Sequence, residues 1–147
     1  MRRDSRLSVA LHALLHMAEV ERLTSEEMAE QTNAHPVVMR RTMAGLRDAG
    51  LVRSEKGHGG GWTLVRPLET VTLYDVFAAL GEPTVFAIGN RTESPGCIVE
   101  KAVNRALAGA FEAAEKLLVE ELENVTLGSL ARTIGKHGKH GRKARHA

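Results

Sequence analysis

From residue 6 to residue 20, apolar side chains recur at three- and four-residue intervals, and Leu7, Ala10, Leu11, Leu14, Met17 and Ala18 make one broad face. Ser5, Ser8, His12, His16 and Glu19 fall on the other side, so the segment predicts an amphipathic helix. A second helix starts at Thr24, where Thr24-Ser25-Glu26-Glu27 sets a hydroxyl three positions before a carboxylate, the spacing of a capping box. It ends near Thr32-Asn33. A third opens on Pro36, whose missing N–H is no loss at a first helical position, and closes at Gly50. Met39, Met43 and Leu46 recur along it at i, i+4 and i+7. Three short helices with tight connections predict a helix-turn-helix unit.

The periodicity then changes. Val52–Glu55 and Trp62–Val65 are strand-like, and the Lys56-Gly57-His58-Gly59-Gly60-Gly61 link between them predicts a flexible hairpin. Directly behind a helix-turn-helix, such a hairpin is a wing. Thr72 caps a fourth helix through about Leu80, with Leu73, Val76, Phe77 and Leu80 at helical spacing, and Gly81-Glu82-Pro83 breaks it. A short apolar segment, Val85–Ile88, and a polar loop, Gly89–Glu93, lead to the longest helix. That helix runs from Ser94-Pro95 to about Glu123, roughly 40 Å at about 1.5 Å per residue. Its stripe of Val99, Val103, Ala106, Ala110, Ala113, Ala114, Leu117 and Leu118 needs a covering surface, either its own domain or, as expected here, a second copy along a dimer seam. Thr126–Leu130 reads as a terminal helical turn. From Gly135 onward the chain has no apolar pattern and is expected to be disordered.

Composition narrows the class. A chain of 147 residues with 43% apolar side chains can build one domain core, and aromatics at 3% leave that core to Leu, Val, Ala and Met. No apolar run is long enough to cross a membrane, and the N-terminus lacks the pattern of a secretory signal. The single cysteine, Cys97, cannot form an internal disulfide, which suits a reducing cytosol and leads to the expectation of a cytoplasmic protein. The net charge of +2 is unevenly spread. Residues 1–66 hold ten Lys/Arg against eight Asp/Glu, residues 67–134 five against ten, and residues 135–147 five against none. Basic ends and an acidic middle fit a polyanionic partner at the ends alone.

The third helix carries the candidate chemistry. Met39, Thr42, Met43 and Leu46 lie on one side of its wheel, and Val37, Arg40, Arg41 and Ala44 on the other, where a recognition helix meets the major groove. An arginine there donates a bidentate pair to guanine. Lys56 at the wing and the glycines beside it suit a minor groove. The N-terminus of the second helix, at Thr24 and Ser25, offers free N–H groups to a phosphate. His35 and His58, at the mouth of the third helix and in the wing, complete the DNA-facing set with Val37, Arg40, Arg41 and Lys56. The alternative for all of these is a solvated basic face, hence a protein-binding winged helix without DNA. Catalysis finds no support: no nucleophile stands at an informative spacing from a base, and the wing glycines precede a strand rather than a phosphate-binding helix.

Leu46-Arg47-Asp48-Ala49-Gly50-Leu51-Val52 followed by Lys56-Gly57-His58-Gly59-Gly60-Gly61-Trp62-Thr63-Leu64 resembles the Rrf-type bacterial winged-helix regulators. These include the iron–sulfur-assembly regulator, nitric-oxide-sensing repressors and the cysteine-metabolism repressor. His58 stands where that pattern has proline, and Trp62 where it has tyrosine. Val71-Thr72-Leu73-Tyr74-Asp75-Val76 and Val125-Thr126-Leu127-Gly128-Ser129-Leu130 match two further segments. The resemblance spans roughly residues 6–132. It implies a homodimeric transcription factor, usually a repressor, with Arg40, Arg41 and Lys56 toward double-stranded DNA. The expected fold class is mainly α with a small β-hairpin (α+β). Residues 1–82 form a winged helix-turn-helix DNA-binding domain, 83–134 a sensor loop and dimerisation helix, and 135–147 a disordered basic tail.

Cluster-binding relatives carry three cysteines before the long helix. This chain has Cys97 alone, so three-thiolate iron–sulfur ligation is not available and no cofactor is expected. With Ser94 as cap and Pro95 first, Cys97 falls at the third helical position, beside N–H groups that favour a thiolate and make a redox sensor of it. The competing expectation is a small apolar residue buried at a helix start. His12 and His16 share a helix face. By resemblance, Ser8 and His12 of one subunit neighbour Cys97 of the other, which allows a mixed metal or cluster site there. A small molecule or a metal remains the alternative signal to thiol redox.

Overall fold

The computed structural model describes residues 4–57, 60–86, 94 and 96–141, with side chains as far as residue 135. Among them lie six α-helices and one two-stranded sheet: α1 (Arg6–Met17), α2 (Ser25–Thr32), α3 (Pro36–Asp48), β1 (Val52–Glu55), β2 (Gly61–Leu64), α4 (Leu73–Ala79), α5 (Ile98–Asn124) and α6 (Leu127–Gly141). A short 3-10 turn, Leu68–Thr70, precedes α4. This is the winged helix-turn-helix with a long helix that the sequence predicts.

Local chemistry explains the helix ends. Thr24 Oγ1 accepts from the Glu27 N–H at 3.2 Å, and Glu27 Oε2 accepts from the Thr24 N–H at 2.8 Å, which closes the capping box. Thr72 and Asp75 repeat the device on α4, at 3.0 and 2.9 Å. At the far end of α3, the Leu51 N–H donates to the Leu46 carbonyl at 3.0 Å and the Gly50 N–H to that of Arg47 at 2.9 Å. This double closure needs a left-handed residue, and Gly50 supplies it with φ +77°.

The core is the one the α3 wheel implies. Met39, Thr42, Met43 and Leu46 are all buried, against Ala10, Ala13, Leu14 and Met17 of α1 and Met28 and Ala29 of α2. Val76 and Phe77 of α4 close one end. Two details differ from the periodicity: Ala13 is buried where the sequence placed no core residue, and Ala18 is exposed because α1 has ended. Gly45 of α3 permits a close approach to α4, since a Cβ there would lie 2.9 Å from the Ala79 carbonyl oxygen. Gly45→Ala sets an overpacking cost of about 1–3 kcal/mol against a helix-propensity gain of about 1 kcal/mol. The net expectation is a loss of about 1 kcal/mol and a melting temperature a few degrees lower by circular dichroism; an unchanged melt would mean that α4 gives way freely.

β1 and β2 pair antiparallel with Val52 opposite Leu64 and Glu55 opposite Gly61. The second strand starts one residue earlier than its sequence pattern, and Val65 lies beyond it, exposed. A backbone bridge joins the wing to the α1–α2 connection, with Trp62 N–H to Leu23 O at 2.7 Å and the reverse bond at 3.2 Å. A second bridge ties the end of the long helix back to the start of α4: the Leu73 N–H donates to Val125 O, and the Leu127 N–H to Val71 O, both at 2.9 Å. The two Val-Thr-Leu segments singled out in the sequence are therefore each other's partners.

Three expectations are corrected. The long helix starts at Ile98, not at Ser94; the Ser94 carbonyl accepts the Cys97 N–H at 2.9 Å in a turn that precedes it. Cys97 is thus the extended N-cap, φ −77° and ψ 122°, rather than the third helical residue, and it is exposed rather than buried. Residues 135–141 are helical, because α6 does not stop at a single turn: Thr126 caps it and the backbone continues to Gly141. Residues 142–147 of the basic tail, like the loop over 87–93, lie outside the described residues.

Candidate nucleic-acid interface

Recognition needs cations that the protein has not already neutralised. Several arginines are spoken for: Arg6 by Asp4 at 2.6 Å, Arg47 by Asp48 at 3.2 Å, Arg22 by Glu55 at 3.1 Å and Arg53 by Glu55 at 3.5 Å. Arg40 and Arg41 are exposed on α3 and make no ion pair among the described residues. Val37 and Val38, one turn earlier, are also exposed, at 39% and 38%. The buried side of the same helix holds the four core residues named above. α3 therefore presents a free face of two guanidiniums and two apolar groups, the chemistry that reads guanine edges and thymine methyls. Val38 belongs to this face although the wheel did not single it out.

His35 caps that helix. Its Nδ1 accepts the Val37 N–H at 3.2 Å, which leaves Nε2 as the outward nitrogen. A neutral ring so engaged carries its proton on Nε2 and offers a donor beside the recognition face.

Lys56 follows β1 directly and is exposed. With Glu55 occupied by Arg22 and Arg53, Lys56 makes no ion pair among the described residues and is a positive charge at the wing. His58 lies outside the described residues. The wing is not a loose appendage: besides the Leu23 bridge, Trp62 Nε1 donates to Ser25 Oγ at 2.9 Å. This bond spans 37 positions in the chain and links β2 to the first residue of α2. No local signal in the sequence could have found it.

At the phosphate seat expected at α2, Thr24 Oγ1 accepts from the Glu27 N–H and Ser25 Oγ from Trp62 Nε1, and both hydroxyls keep their own O–H donors. Two backbone N–H groups of the first turn, those of Ser25 and Glu26, are left for an anion, beside the acidic side chains Glu26 and Glu27. The structure brings Ser25 to the wing through Trp62, sets Val37, Arg40 and Arg41 on α3 with His35 as its cap, and leaves Lys56 exposed at the end of β1.

The sensor candidates are not part of this face. Cys97 stands at the start of α5, with Glu100 of the first turn accepting the Ser94 N–H at 3.2 Å. Ser8 and His12 are exposed on α1, and the His12 ring stacks on that of His16 at 4.8 Å between centroids. α5 itself buries no residue. On one side Phe111 stacks on Phe86 at 5.6 Å and Leu118 and Val119 are half-buried, which docks the helix on its own domain. On the other side Val99, Val103, Ala106, Ala110, Ala113 and Leu117 are all exposed.

Comparison with known proteins agrees with this architecture. The Rrf2 family model, described as an iron-dependent transcriptional regulator, matches residues 3–133. YwnA of Bacillus subtilis (strain 168), named provisionally as an HTH-type transcriptional regulator, is 30% identical over 124 residues, which is 84% of this chain and 92% of its own. Among solved structures, a protein from Lactobacillus plantarum assigned provisionally as a transcriptional regulator superposes with a TM-score of 0.77 at 21% identity, over 96% of this chain and 99% of that one. T. potens IscR superposes with a TM-score of 0.63 at 21% identity, over 100% and 93%. At these identities the two structures speak for the fold.

Proposed function

Since this chain belongs to the Rrf2 family of transcriptional regulators, we propose that it works as a homodimeric repressor on a pseudo-palindromic operator and that a chemical signal sets its affinity for that DNA. It is a sequence-specific DNA-binding regulator and not an enzyme. The observation that carries the reading is the free Arg40–Arg41 face of α3 beside a wing braced on α2. Each subunit sets α3 in a major groove and Lys56 against the neighbouring minor groove, and two-fold symmetry spaces the half-sites by about one helical turn or a multiple of it. The exposed apolar stripe of α5 supports the dimer. Among the described residues no helix is long and apolar enough to cross a membrane. We place the protein in the cytoplasm, with the chromosome it reads.

The family is described as iron-dependent, but the donors of this chain do not fit a thiolate-held cluster. One thiol replaces three, and among the described residues no group of three His, Cys, Asp or Glu side chains is placed to hold a metal ion. The signal we favour acts on Cys97 itself. An exposed thiol at the N-cap of the long helix is open to an oxidant, which supports this reading. A peroxide is a sufficient oxidant: the thiolate attacks one oxygen, a sulfenic acid forms and hydroxide leaves.

The test is fluorescence anisotropy on DNA upstream of the protein's own gene, with reduced protein, peroxide-treated protein and Cys97→Ser. We expect tight binding when reduced, release on oxidation, and a Cys97→Ser protein that binds and ignores peroxide. Tight binding that is indifferent to oxidant in the parent would remove Cys97 from the signal and leave the DNA reading intact.

A further inference from the structure

A two-stranded hairpin is marginal by itself in water. The wing is such a hairpin, with strands of four residues each. Much of what steadies it comes from the connection between α1 and α2. Leu23 pairs with Trp62 along the other edge of β2, and Arg22 holds Glu55 of β1 at 3.1 Å. The indole then reaches α2 itself, where Trp62 Nε1 donates to Ser25 Oγ at 2.9 Å. The ring is half-buried against the main core, and Ser25 is half-buried at the first position of α2.

That bond ends on a helix that matters for recognition. Met28 and Ala29 of α2 share one core with Met39 and Met43 of α3, so α2 and α3 sit as a packed pair. The wing is thereby tied to the unit that carries Arg40 and Arg41. A protein that reads one groove with α3 and touches the next with a wing needs the two at a fixed separation. A hairpin that swings must lose that freedom on binding, and a braced one has already lost it.

We propose that Ser25 and Trp62 are positioning residues for the wing: their bond sets the angle of the hairpin on α2 and holds Lys56 where a duplex seated on α3 meets it. Ser25 acts through a lone pair of its oxygen, so the role requires no contact between Ser25 and DNA. The consequence for binding rests on the DNA reading above; the bracing of the wing does not.

Trp62 is the only tryptophan of the chain, so its fluorescence reports on the wing directly. In the free protein, Ser25→Ala should open the indole to acrylamide quenching by about twofold or more, through local opening of the hairpin. Ser25→Thr keeps a hydroxyl acceptor and should restore the parent's quenching. Anisotropy on operator DNA across a salt series then follows the parent, Lys56→Ala, Trp62→Phe and the double variant, a cycle in which coupled residues give non-additive losses. Trp62→Phe keeps an aromatic ring on the core and removes the donor. It should lower affinity about three- to tenfold, the fold-change to which one hydrogen bond converts. The slope of log K against log salt should flatten by about 0.9, because Lys56 leaves its phosphate. Adding Lys56→Ala to that variant should change neither affinity nor slope further. If Trp62→Phe melts early, Ser25→Ala takes its place in the cycle.

A bond that serves stability and nothing else would lower the melt and leave Lys56's share of the salt slope untouched. Additive losses in the cycle therefore overturn the proposal, as does quenching of Ser25→Ala equal to the parent's. If no duplex binds at all, the DNA reading fails, and the quenching still decides whether Ser25 holds the wing.

Discussion

Replacing Arg40 and Arg41 together with alanine should lower affinity for the operator by at least about a hundredfold, while affinity for random duplex of the same length falls only several-fold. Each bidentate arginine–guanine pair is worth about 1–3 kcal/mol of base discrimination. Two of them account for the specific loss, and the small common loss reflects two fewer positive charges near phosphates. The size of the effect depends on the two guanidiniums being exposed and without an ion pair, as they are on α3 among the described residues. Their neighbour Arg47, held by Asp48 at 3.2 Å, makes a useful contrast. Lys56→Ala should behave differently: equal losses on both duplexes, with the slope of log K against log salt shallower by about 0.9 for one lost phosphate contact. Anisotropy on operator and scrambled DNA across a salt series separates the two patterns. Equal losses for the arginine pair on both duplexes would turn α3 into a phosphate clamp and leave sequence reading to another element.

Much of this face was legible in the chain because its determinants are local. Met39, Thr42, Met43 and Leu46 share one side of a helix by spacing alone, and burying them forces Arg40 and Arg41 outward. The two capping boxes and the Gly50 closure are read from residues a few positions apart. The hairpin came within one residue for the same reason. What escaped is non-local. Trp62 finds Ser25, and Val71–Leu73 finds Val125–Leu127, through packing that no periodicity encodes. Cys97 was placed inside α5 on the strength of Ser94-Pro95 as a helix start, but the chain makes a turn at Ser94 first and begins the helix at Ile98. The lack of apolar pattern after Gly135 argued for disorder. A helix already capped at Thr126 continues there without needing a buried face.

Glutamate at both Val103 and Leu117 should convert the protein to a folded monomer whose operator affinity is lower by about a hundredfold or more. Val99, Val103, Ala106, Ala110, Ala113 and Leu117 alternate spacings of four and three, the repeat of a two-helix seam. All six are exposed, with Val103 at 49% and Leu117 at 60%. The small alanines at its centre let two backbones approach closely, and the stripe extends about 27 Å at about 1.5 Å per residue. Its own domain does not cover it, since Phe111, Leu118 and Val119 dock the opposite side of the helix. Carboxylates placed in such a seam would be desolvated without partners and repel those of the second copy. Loss of the dimer removes the linkage between half-sites, an advantage of about 10²–10⁴ in affinity. Binding to an isolated half-site should be unchanged, because Arg40, Arg41 and Lys56 are untouched. Sedimentation velocity reports the mass, melting reports the fold, and anisotropy on full and half operators reports the linkage. A variant that stays dimeric and binds normally would place the seam elsewhere. One that unfolds would show that this stripe packs within the subunit after all.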